Sequence, residues 1–536
     1  MIQQNDRTIP LGFWLLGVVL VIYVALCTGY RDNHWSTDAW EHHRVLKTLT
    51  EQLWNPGNPT YATDAPSARY SPYAIGWASL SRITGLDPYQ TLSLAAIVNT
   101  ILLITGVAAL LKSFGEAPSA LAGLIVMLGL YGGAPGHSNS YALSDLPWHQ
   151  VNPSAFSFAI TLFVWALFGR FGRKGWRDFS LPLMVVLCAI ALLDHPLTGV
   201  LTQFGICLFA IAAKPPNRRR LIGGVFCLWV GVALLCSLWP WFSFIQAATT
   251  KLPFSINLGV SHKMLTQWCV PAVACGLFAF TYRERKMVRL FLLGGYVIYF
   301  AGLLVFILPP SMPGTSLLYR IPLSGLIFFH LALGVFIYRT GLLELRTWPR
   351  RLKTLVAGGR PQVPQAAIEV TMAIVLGYFL LPQFYTVLEE PHLARAYIAP
   401  LLGKENKQID LKSRFDALLE PVGRRDVVLS DPQTMWPIPS SRGRIVYAIH
   451  PELFVPDRGE KYLDVETFFS IETSDTQRIE LLEKHSVRWL VLNRNQLDES
   501  VFATLLVESA IVRRDNDFIL MDAVTWREAK LPDDRK

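Results

Sequence analysis

Charged residues are scarce in this sequence. Asp, Glu, Lys and Arg make up 17% of the 536 residues, whereas a soluble domain usually contains about 25%. The shortage is confined to residues 1–387, which are a series of apolar runs, while residues 388–536 have the composition of a soluble domain. A wholly soluble protein is therefore excluded. We predict a membrane part, residues 1–387, and a soluble α/β part, residues 388–536.

Several sequence features of other protein classes are also missing. All seven cysteines lie in or beside apolar runs, so the soluble part has no disulfide framework, and no Cys/His spacing is typical of a zinc site. The soluble part has no Gly-x-Gly-x-x-Gly motif and no phosphate-binding loop, so no nucleotide is indicated. No internal repeat is visible, although many transporters are built from paired halves.

Basic residues outnumber acidic ones only in the membrane part. Residues 1–387 contain 28 Lys and Arg against 14 Asp and Glu, and residues 388–536 contain 21 against 26. The basic residues lie in short loops between apolar runs rather than on one soluble face. They therefore do not indicate nucleic acid binding.

Eleven apolar runs in the membrane part are predicted to be transmembrane helices, because only helices or closed barrels satisfy the backbone in lipid. They lie near residues 10–30, 89–111, 118–135, 153–170, 179–194, 197–213, 220–241, 264–282, 289–308, 318–338 and 366–387. The first run is about 20 residues long, which favours a spanning anchor over a cleaved signal peptide.

The Lys and Arg residues in the loops predict the orientation. With the N-terminus inside, the cytoplasmic loops hold 20 of them and the opposite loops hold 8, as the positive-inside rule requires. An odd number of spans then places the soluble part outside the cytoplasm. A bacterial inner membrane with a periplasmic domain fits this topology, and an endoplasmic reticulum membrane fits the same physics.

A long outer loop, about residues 31–88, follows the first span. Ser36 or Thr37 is a suitable cap for a helix that begins near Asp38. Asp38 would then lie in the first turn of that helix, near the membrane surface. The apolar side chains of the helix, which would face lipid or protein, are Trp40, Leu46, Leu49 and Leu53.

This arrangement resembles the GT-C glycosyltransferases, which move a sugar from a polyprenyl-phosphate carrier. The shared features are one span, a long outer loop with an Asp, many further spans and an outer C-terminal domain. Residues 38–44 (Asp-Ala-Trp-Glu-His-His-Arg) look like the Asp-x-Trp/Tyr-x-x-x-Arg run of oligosaccharyltransferase catalytic subunits. They also resemble a run of dolichol-linked glucosyltransferases that has His in the place of Arg44.

A second segment carries a weaker resemblance. Residues 69–73 (Arg-Tyr-Ser-Pro-Tyr) occupy the place of the Lys-Pro-Pro-Leu segment of lipid A aminoarabinose transferases, which makes Arg69 and Tyr70 candidates for substrate binding. The Trp-Trp-Asp motif of oligosaccharyltransferases is missing from residues 388–536. The resemblance therefore does not extend to glycosylation of peptide sequons.

Asp38 is the first candidate for catalysis. Transfer of a sugar from phosphate to a hydroxyl needs a carboxylate that takes the proton, and a loop at the lipid surface can meet a lipid-carried donor. The alternative is that Asp38 only stabilises a helix N-terminus, which favours acidic residues. Asp32 is the next acid in the loop.

Asp145 is the second catalytic candidate. It is the only acid in the second outer loop, where oligosaccharyltransferases have a second acidic motif, and His149 would share a helix face with it. The alternative is a buried polar network beside a helix that starts at Asn152-Pro153. His195 lies in the turn at residues 194–196, where ionisable residues at membrane depth suggest function or simply lie at the interface.

Arg320 stands alone at the outer start of a late span. An Arg there suits a bidentate contact with phosphate, and several GT-C relatives place one similarly for the carrier phosphate. The alternative is a snorkelling anchor. Asp38, Asp145, His149 and His195 could together hold a divalent cation, but no spacing requires one, so the cofactor is left open.

The soluble part is predicted to be a small α/β domain. Its expected strands are residues 426–430, 444–448 and 488–492 with a hairpin at 511–520, and its expected helices are 474–485 and 499–509. We predict a polytopic helical membrane protein that transfers a sugar from a polyprenyl-phosphate donor to an extracytoplasmic acceptor. The alternatives are a transporter, flippase or polymerase of surface glycans, and a non-catalytic envelope protein of GT-C-like fold.

Overall fold

The computed structural model describes most of the chain and forms two compact units. The described residues are 8–29, 37–130, 141–143, 145–176, 179–212, 217–250, 293–298, 321–340, 377, 381, 411–448 and 452–531. The first unit comprises Met1–Gly29, Ser93–Leu238 and Lys251–Glu405, and the second comprises Tyr30–Leu92, Trp239–Thr250 and Asn406–Lys536. The predicted boundary at residue 387 lies outside the described residues.

Among the described residues, the regular secondary structure is helical up to residue 418 and mixed after it. In chain order the helices are α1 (Leu11–Gly29), α2 (Thr37–Glu51), α3 (Pro72–Thr84), α4 (Pro88–Ser113), α5 (Ala120–Gly129), α6 (Leu146–His149), α7 (Pro153–Lys174), α8 (Ser180–Asp194), α9 (Pro196–Ala212), α10 (Asn217–Ser237), α11 (Phe244–Thr249), α12 (Ile321–Thr340), α13 (Leu411–Leu418), α14 (Ile438–Ser441), α15 (Arg458–Phe468), α16 (Asp475–Lys484), α17 (Glu499–Leu505) and α18 (Ala523–Lys530). The strands are β1 (Val427–Leu429), β2 (Arg444–Ile445), β3 (Val487–Asn493), β4 (Ile511–Arg514) and β5 (Phe518–Asp522).

Several helices of the first unit, and helix α4, have the length or the apolar composition of membrane spans. Among the described residues, α1, α4, α7 and α10 are long and apolar enough to cross a membrane, and shorter apolar helices lie at Ala117–Gly129, Ser180–Asp194, Pro196–Ile211 and Gly325–Arg339. The predicted span at 264–282 lies outside the described residues, as do most of 289–308 and all of 366–387 except residues 377 and 381. The total of about eleven spans stays a prediction.

Close packing of these helices depends on small residues. The Trp165 indole on α7 is fully buried and donates a hydrogen bond to the carbonyl of Thr202 on α9 at 3.0 Å. A Cβ atom at Gly205 would lie 2.3 Å from the Trp165 ring, so only glycine lets the two helices approach this closely. A Cβ atom at Gly334 on α12 would likewise collide with the backbone of Gly123 on α5. Small residues at such contacts are typical of membrane helices.

The C-terminal part of the second unit is built on one five-stranded sheet of order β2-β1-β3-β5-β4. β1 is parallel to β2 and β3, while β5 is antiparallel to β3 and β4. β3 is central and its residues Leu490, Val491 and Leu492 are fully buried. The strands expected at 426–430 and 488–492 and the hairpin are present, and the strand expected at 444–448 is limited to Arg444–Ile445.

The long outer loop belongs to this second unit. Trp40 on α2, Tyr61 and Tyr89 pack in the same hydrophobic core as the sheet. Tyr61 also forms a parallel bridge with Ile445, whose amide donates to the carbonyl of Thr60 at 2.9 Å. The loop therefore extends the sheet at its β2 edge.

Helix α2 is enclosed by protein. Its other side packs Val45 and Leu49 against Tyr70, Ala74 and Ala78 of the α3 segment. Near its end, the Lys47 ammonium donates to the carbonyls of Ser440 and Ser441 at the end of α14, where helix carbonyls lack intrahelical partners. From the sequence, the apolar side of α2 could face either lipid or protein. In the structure, Trp40, Leu46 and Leu49 are buried in protein.

Candidate functional site

Asp38 lies in the first turn of α2 and is half-buried. This position agrees with the helix start predicted from the sequence. The side chain of Arg69, from the segment just before α3, is within electrostatic range of Asp38. Burial lowers the pKa of its guanidinium, and the carboxylates of Glu41, Glu452 and Asp38, in that order, raise it. Asp38 and Arg69 are 31 positions apart in sequence, so the fold of the loop brings them together.

Arg69 also pairs with two carboxylates that the sequence analysis did not single out. Its Nη2 atom forms an ion pair with Oε2 of Glu41 on α2, and its Nε atom lies 4.0 Å from Oε1 of Glu452. Oε1 of Glu41 accepts a hydrogen bond from Nη2 of Arg44 at 3.3 Å. We call Glu41, Arg44, Arg69 and Glu452 the loop charge cluster.

Burial makes the loop charge cluster an unusual feature. The side chains of Arg44, Glu41 and Glu452 are 0%, 1% and 2% exposed, and that of Arg69 is 30% exposed. Removing charges from water costs several kcal/mol per ion unless good pairing offsets it. The two positive and two negative charges of the cluster sum to zero. The Trp436 ring centroid lies 5.3 Å from Cζ of Arg44, which adds a cation–π contact.

The pKa shifts report the same balance of burial and pairing. Burial lowers the pKa of Arg44, although Glu41 and Glu452 oppose the shift. Burial raises the pKa of Glu452, opposed by Arg69 and Arg44. For Arg69, burial acts downward, but the attraction of Glu41, Glu452 and Asp38 prevails and the pKa is raised. Arg69 therefore stays charged at any ordinary pH.

Tyr70 is held by structural contacts on both its backbone and its side chain. Its hydroxyl donates to the carbonyl of Gly57 at 2.7 Å, and its own carbonyl accepts a hydrogen bond from the Trp239 indole at 2.9 Å. Burial, and then the charge of Glu452, raise the pKa of the phenol. Its predicted role in substrate binding stays a prediction.

Asp145 precedes the short helix α6 in the first unit, and His149 is the last residue of that helix. The amide of His149 donates to the carbonyl of Asp145 at 3.0 Å, and both side chains are half-buried. Buried polar residues lie near them in sequence and in the fold. The Asn99 side chain donates to the carbonyl of Gln150 at 2.7 Å, and both residues are buried.

His195 precedes α9 and caps its N-terminus. Its Nδ1 atom lies 2.7 Å from the Thr198 hydroxyl and accepts a hydrogen bond from the Thr198 amide at 3.3 Å. A further histidine of this unit, His330 of α12, was not singled out from the sequence. It is fully buried and its Nδ1 atom lies 3.0 Å from the Tyr141 hydroxyl.

The predicted site residues are divided between the two units. Asp38, Arg69 and Tyr70 belong to the second unit, and Asp145, His149 and His195 belong to the first. Arg320 lies outside the described residues. That Asp38, Asp145, His149, His195 and Arg320 form one site stays a prediction. In the described part of the chain, no group of three or more His, Cys, Asp or Glu side chains is arranged to hold a metal ion.

Comparison with known proteins finds similarity in structure alone. No protein-family model matches the chain, and no curated protein matches its sequence. The apo oligosaccharyltransferase of Archaeoglobus fulgidus is similar with a TM-score of 0.52 and 12% identity, over 90% of this chain and 70% of that one. Apo ArnT from Cupriavidus metallidurans is similar with a TM-score of 0.50 and 10% identity, over 97% and 99%.

Both of these proteins are GT-C glycosyltransferases. The chain therefore has the GT-C fold, as its resemblance to that superfamily predicted. At 10–12% identity the similarity establishes the fold and leaves the chemistry to be argued from the residues.

Proposed function

We propose that this protein is a glycosyltransferase that moves a sugar from a polyprenyl-phosphate carrier to an extracytoplasmic acceptor. The observation that supports it best is the position of Asp38. On a GT-C fold, this carboxylate lies in the first turn of a helix in the first outer loop, half-buried and within electrostatic range of the cationic Arg69. Enzymes commonly carry reactive groups on loop segments that the rest of the fold holds in position.

In this proposal Asp38 is the general base. It takes the proton from an acceptor hydroxyl, whose oxygen attacks the anomeric carbon of the sugar while the bond to the carrier phosphate breaks. A positioned base of this kind contributes about 10²–10⁴-fold to a rate. The polyprenyl-phosphate product leaves in the lipid bilayer.

Further residues are assigned by the same proposal. Arg320 and Arg69 supply positive charge for the carrier phosphate, since guanidinium groups suit bidentate contacts with phosphate oxygens. Asp145, which lies in the first unit, is the second catalytic candidate, and His149 and His195 of the same unit are candidates for substrate binding. The proposed location is a bacterial inner membrane with the C-terminal domain in the periplasm.

Transfer assays with the purified protein test the proposal. Reconstituted protein is incubated with a panel of radiolabelled polyprenyl-phosphate sugars and extracts of cell-surface glycans, lipids and proteins, and we expect radiolabel to move from carrier to acceptor. Asp38→Asn should abolish most of this transfer. If no donor in the panel is consumed but a labelled lipid crosses sealed vesicles, the protein is a flippase or transporter and the proposal is wrong.

Asp87→Asn is the matched control. Asp87 lies in the same outer loop and its Oδ1 atom accepts the amides of Tyr89 and Gln90 at the start of α4, at 2.8 and 2.9 Å. The variant removes one carboxylate charge at a helix N-terminus, just as Asp38→Asn does, and asparagine still caps well. If both variants lower transfer equally, Asp38 acts by stabilising its helix and is not the base.

A further inference from the structure

The loop charge cluster has no part in the proton transfer assigned to Asp38, yet it is the most deeply buried set of charges near it. Its four residues come from three places along the chain. Glu41 and Arg44 lie on α2, Arg69 precedes α3, and Glu452 follows the sheet strand β2. One residue of the C-terminal α/β part therefore reaches into the outer loop.

Glu452 fixes the backbone that carries Arg69. Its Oε2 atom accepts a hydrogen bond from the Ser67 hydroxyl at 2.8 Å, across 385 residues of sequence. The same hydroxyl oxygen accepts the amide of Arg69 at 3.2 Å, and the Ser67 carbonyl accepts the amide of Tyr70 at 3.2 Å. The entry to α3 is thus tied to one buried carboxylate.

Arg69 passes this restraint on to α2. Its guanidinium lies between Glu452 and Glu41 and close to Asp38. Asp38 and Glu41 are three residues apart on the helix, so they lie on the same face. A contact that holds Glu41 also sets the rotation and height of the turn that carries Asp38.

We propose that Glu452 is a positioning residue for Asp38, acting through Ser67, Arg69 and Glu41. The C-terminal α/β part is then a component of the catalytic apparatus and not only an appended module. The inference rests on the proposed function for its kinetic consequence. A displacement of about 1 Å at a reacting group can cost about 10²-fold in rate, which is the scale of effect expected from a positioning residue.

Two variants of the full-length protein test the inference. Glu452→Gln keeps the shape of the side chain and removes its charge, and Ser67→Ala removes the hydroxyl that joins Glu452 to the Arg69 backbone. Arg414→Gln is the matched control. Arg414 pairs with Asp515 at 2.9 Å and Asp517 at 2.6 Å in the same α/β part, so the control breaks a multivalent ion pair elsewhere.

We expect Glu452→Gln to lower kcat by about 10–100-fold while KM for the donor stays within about twofold, since positioning acts on the transition state more than on binding. Ser67→Ala should act in the same direction, and the double variant should lose less than the sum of the two because the residues share one contact chain. Arg414→Gln should leave kcat unchanged.

Hydrogen exchange supplies a measurement that does not depend on activity. In Glu452→Gln and Ser67→Ala the amides of residues 41–46 should exchange faster than in the wild type, and in Arg414→Gln they should not. A rise in donor KM with unchanged kcat would show that Glu452 acts on donor binding and not on the position of Asp38, and would overturn the inference. Equal kinetic losses in Glu452→Gln and Arg414→Gln, or unchanged exchange in α2, would also overturn it. A wild type that transfers no sugar would refute the proposed function, while the exchange data would still decide the positioning.

Discussion

Glu41 offers a direct measure of what holds α2 in place. Its carboxylate is 1% exposed and is shared by Arg44, which is fully buried, and Arg69, which is 30% exposed. Glu41→Gln preserves the volume of the side chain but leaves both guanidinium groups facing the single carboxylate of Glu452. The variant therefore tests the cost of an uncompensated buried charge.

The expected loss is about 3 kcal/mol of the free energy of unfolding. Breaking a buried ion pair by removing one partner costs about 3–5 kcal/mol. The lower end of this range applies because the Arg69 side chain is partly exposed and can turn towards water. The Arg44 side chain is fully buried and cannot do so. The measurement is urea unfolding of the purified protein in detergent, with wild type and variant compared under identical conditions.

Glu51→Gln is the internal control on the same helix. Glu51 pairs with Arg424 at 3.2 Å, but the Arg424 side chain is 72% exposed, so the pair should contribute only about 0.2–1 kcal/mol. Equal losses in Glu41→Gln and Glu51→Gln would refute the argument from burial. An unchanged Glu41→Gln would show that the loop charge cluster does not stabilise the fold.

Three further predictions address topology, chemistry and pH. A reporter that works only outside the cytoplasm, fused after Lys536, should be active, and a silent reporter on a stable fusion would contradict the eleven-span topology. Asp38→Asn should lower turnover by about 10²–10⁴-fold without loss of donor binding. Arg320→Ala should instead weaken donor binding by about 2–3 kcal/mol. A near wild-type rate in well-folded Asp38→Asn would exclude Asp38 as the base. Burial, and then the charges of Lys47 and Lys412, hold the pKa of His43 in the folded protein well below 6.5. As the pH drops, the imidazole is therefore protonated in the unfolded state before it is protonated in the folded state. The free energy of unfolding should fall below a pH of about 6.5 for this reason. His43→Gln should flatten that fall in unfolding curves measured between pH 8 and pH 5, and an unchanged slope would contradict the assignment to His43.

Local patterns in the sequence predicted the parts of the fold that depend on local interactions. The start of α2 followed from capping residues before Asp38, and the central strand β3 followed from its apolar run. The hairpin followed from the turn residues between two such runs. The strand expected at 444–448 ends at Ile445, and the amide of Ala448 donates to the Tyr61 hydroxyl at 3.3 Å. That partner lies 387 residues away, and no local pattern could reveal it.

The candidate site divides in the same way. Asp38 was found because a motif and a helix start coincide there, and the i,i+3 spacing of Glu41 and Arg44 was visible in the sequence as a local pair. Glu452 was missed because nothing around it marks an acid that will be buried. Its significance comes only from Ser67 and Arg69, which the chain brings to it over nearly its whole length.

The bridge between Tyr61 and Ile445 has a consequence for the order of folding in the cell. The outer loop emerges from the ribosome early, but the edge strand that it joins is made from residues near the end of the chain. Until then Trp40 lacks the core that buries it, and loop closure over so long a separation is slow. The second unit is thus completed only after residues 444–445 have been synthesised, so a chain truncated before β1 lacks the sheet edge that Tyr61 joins.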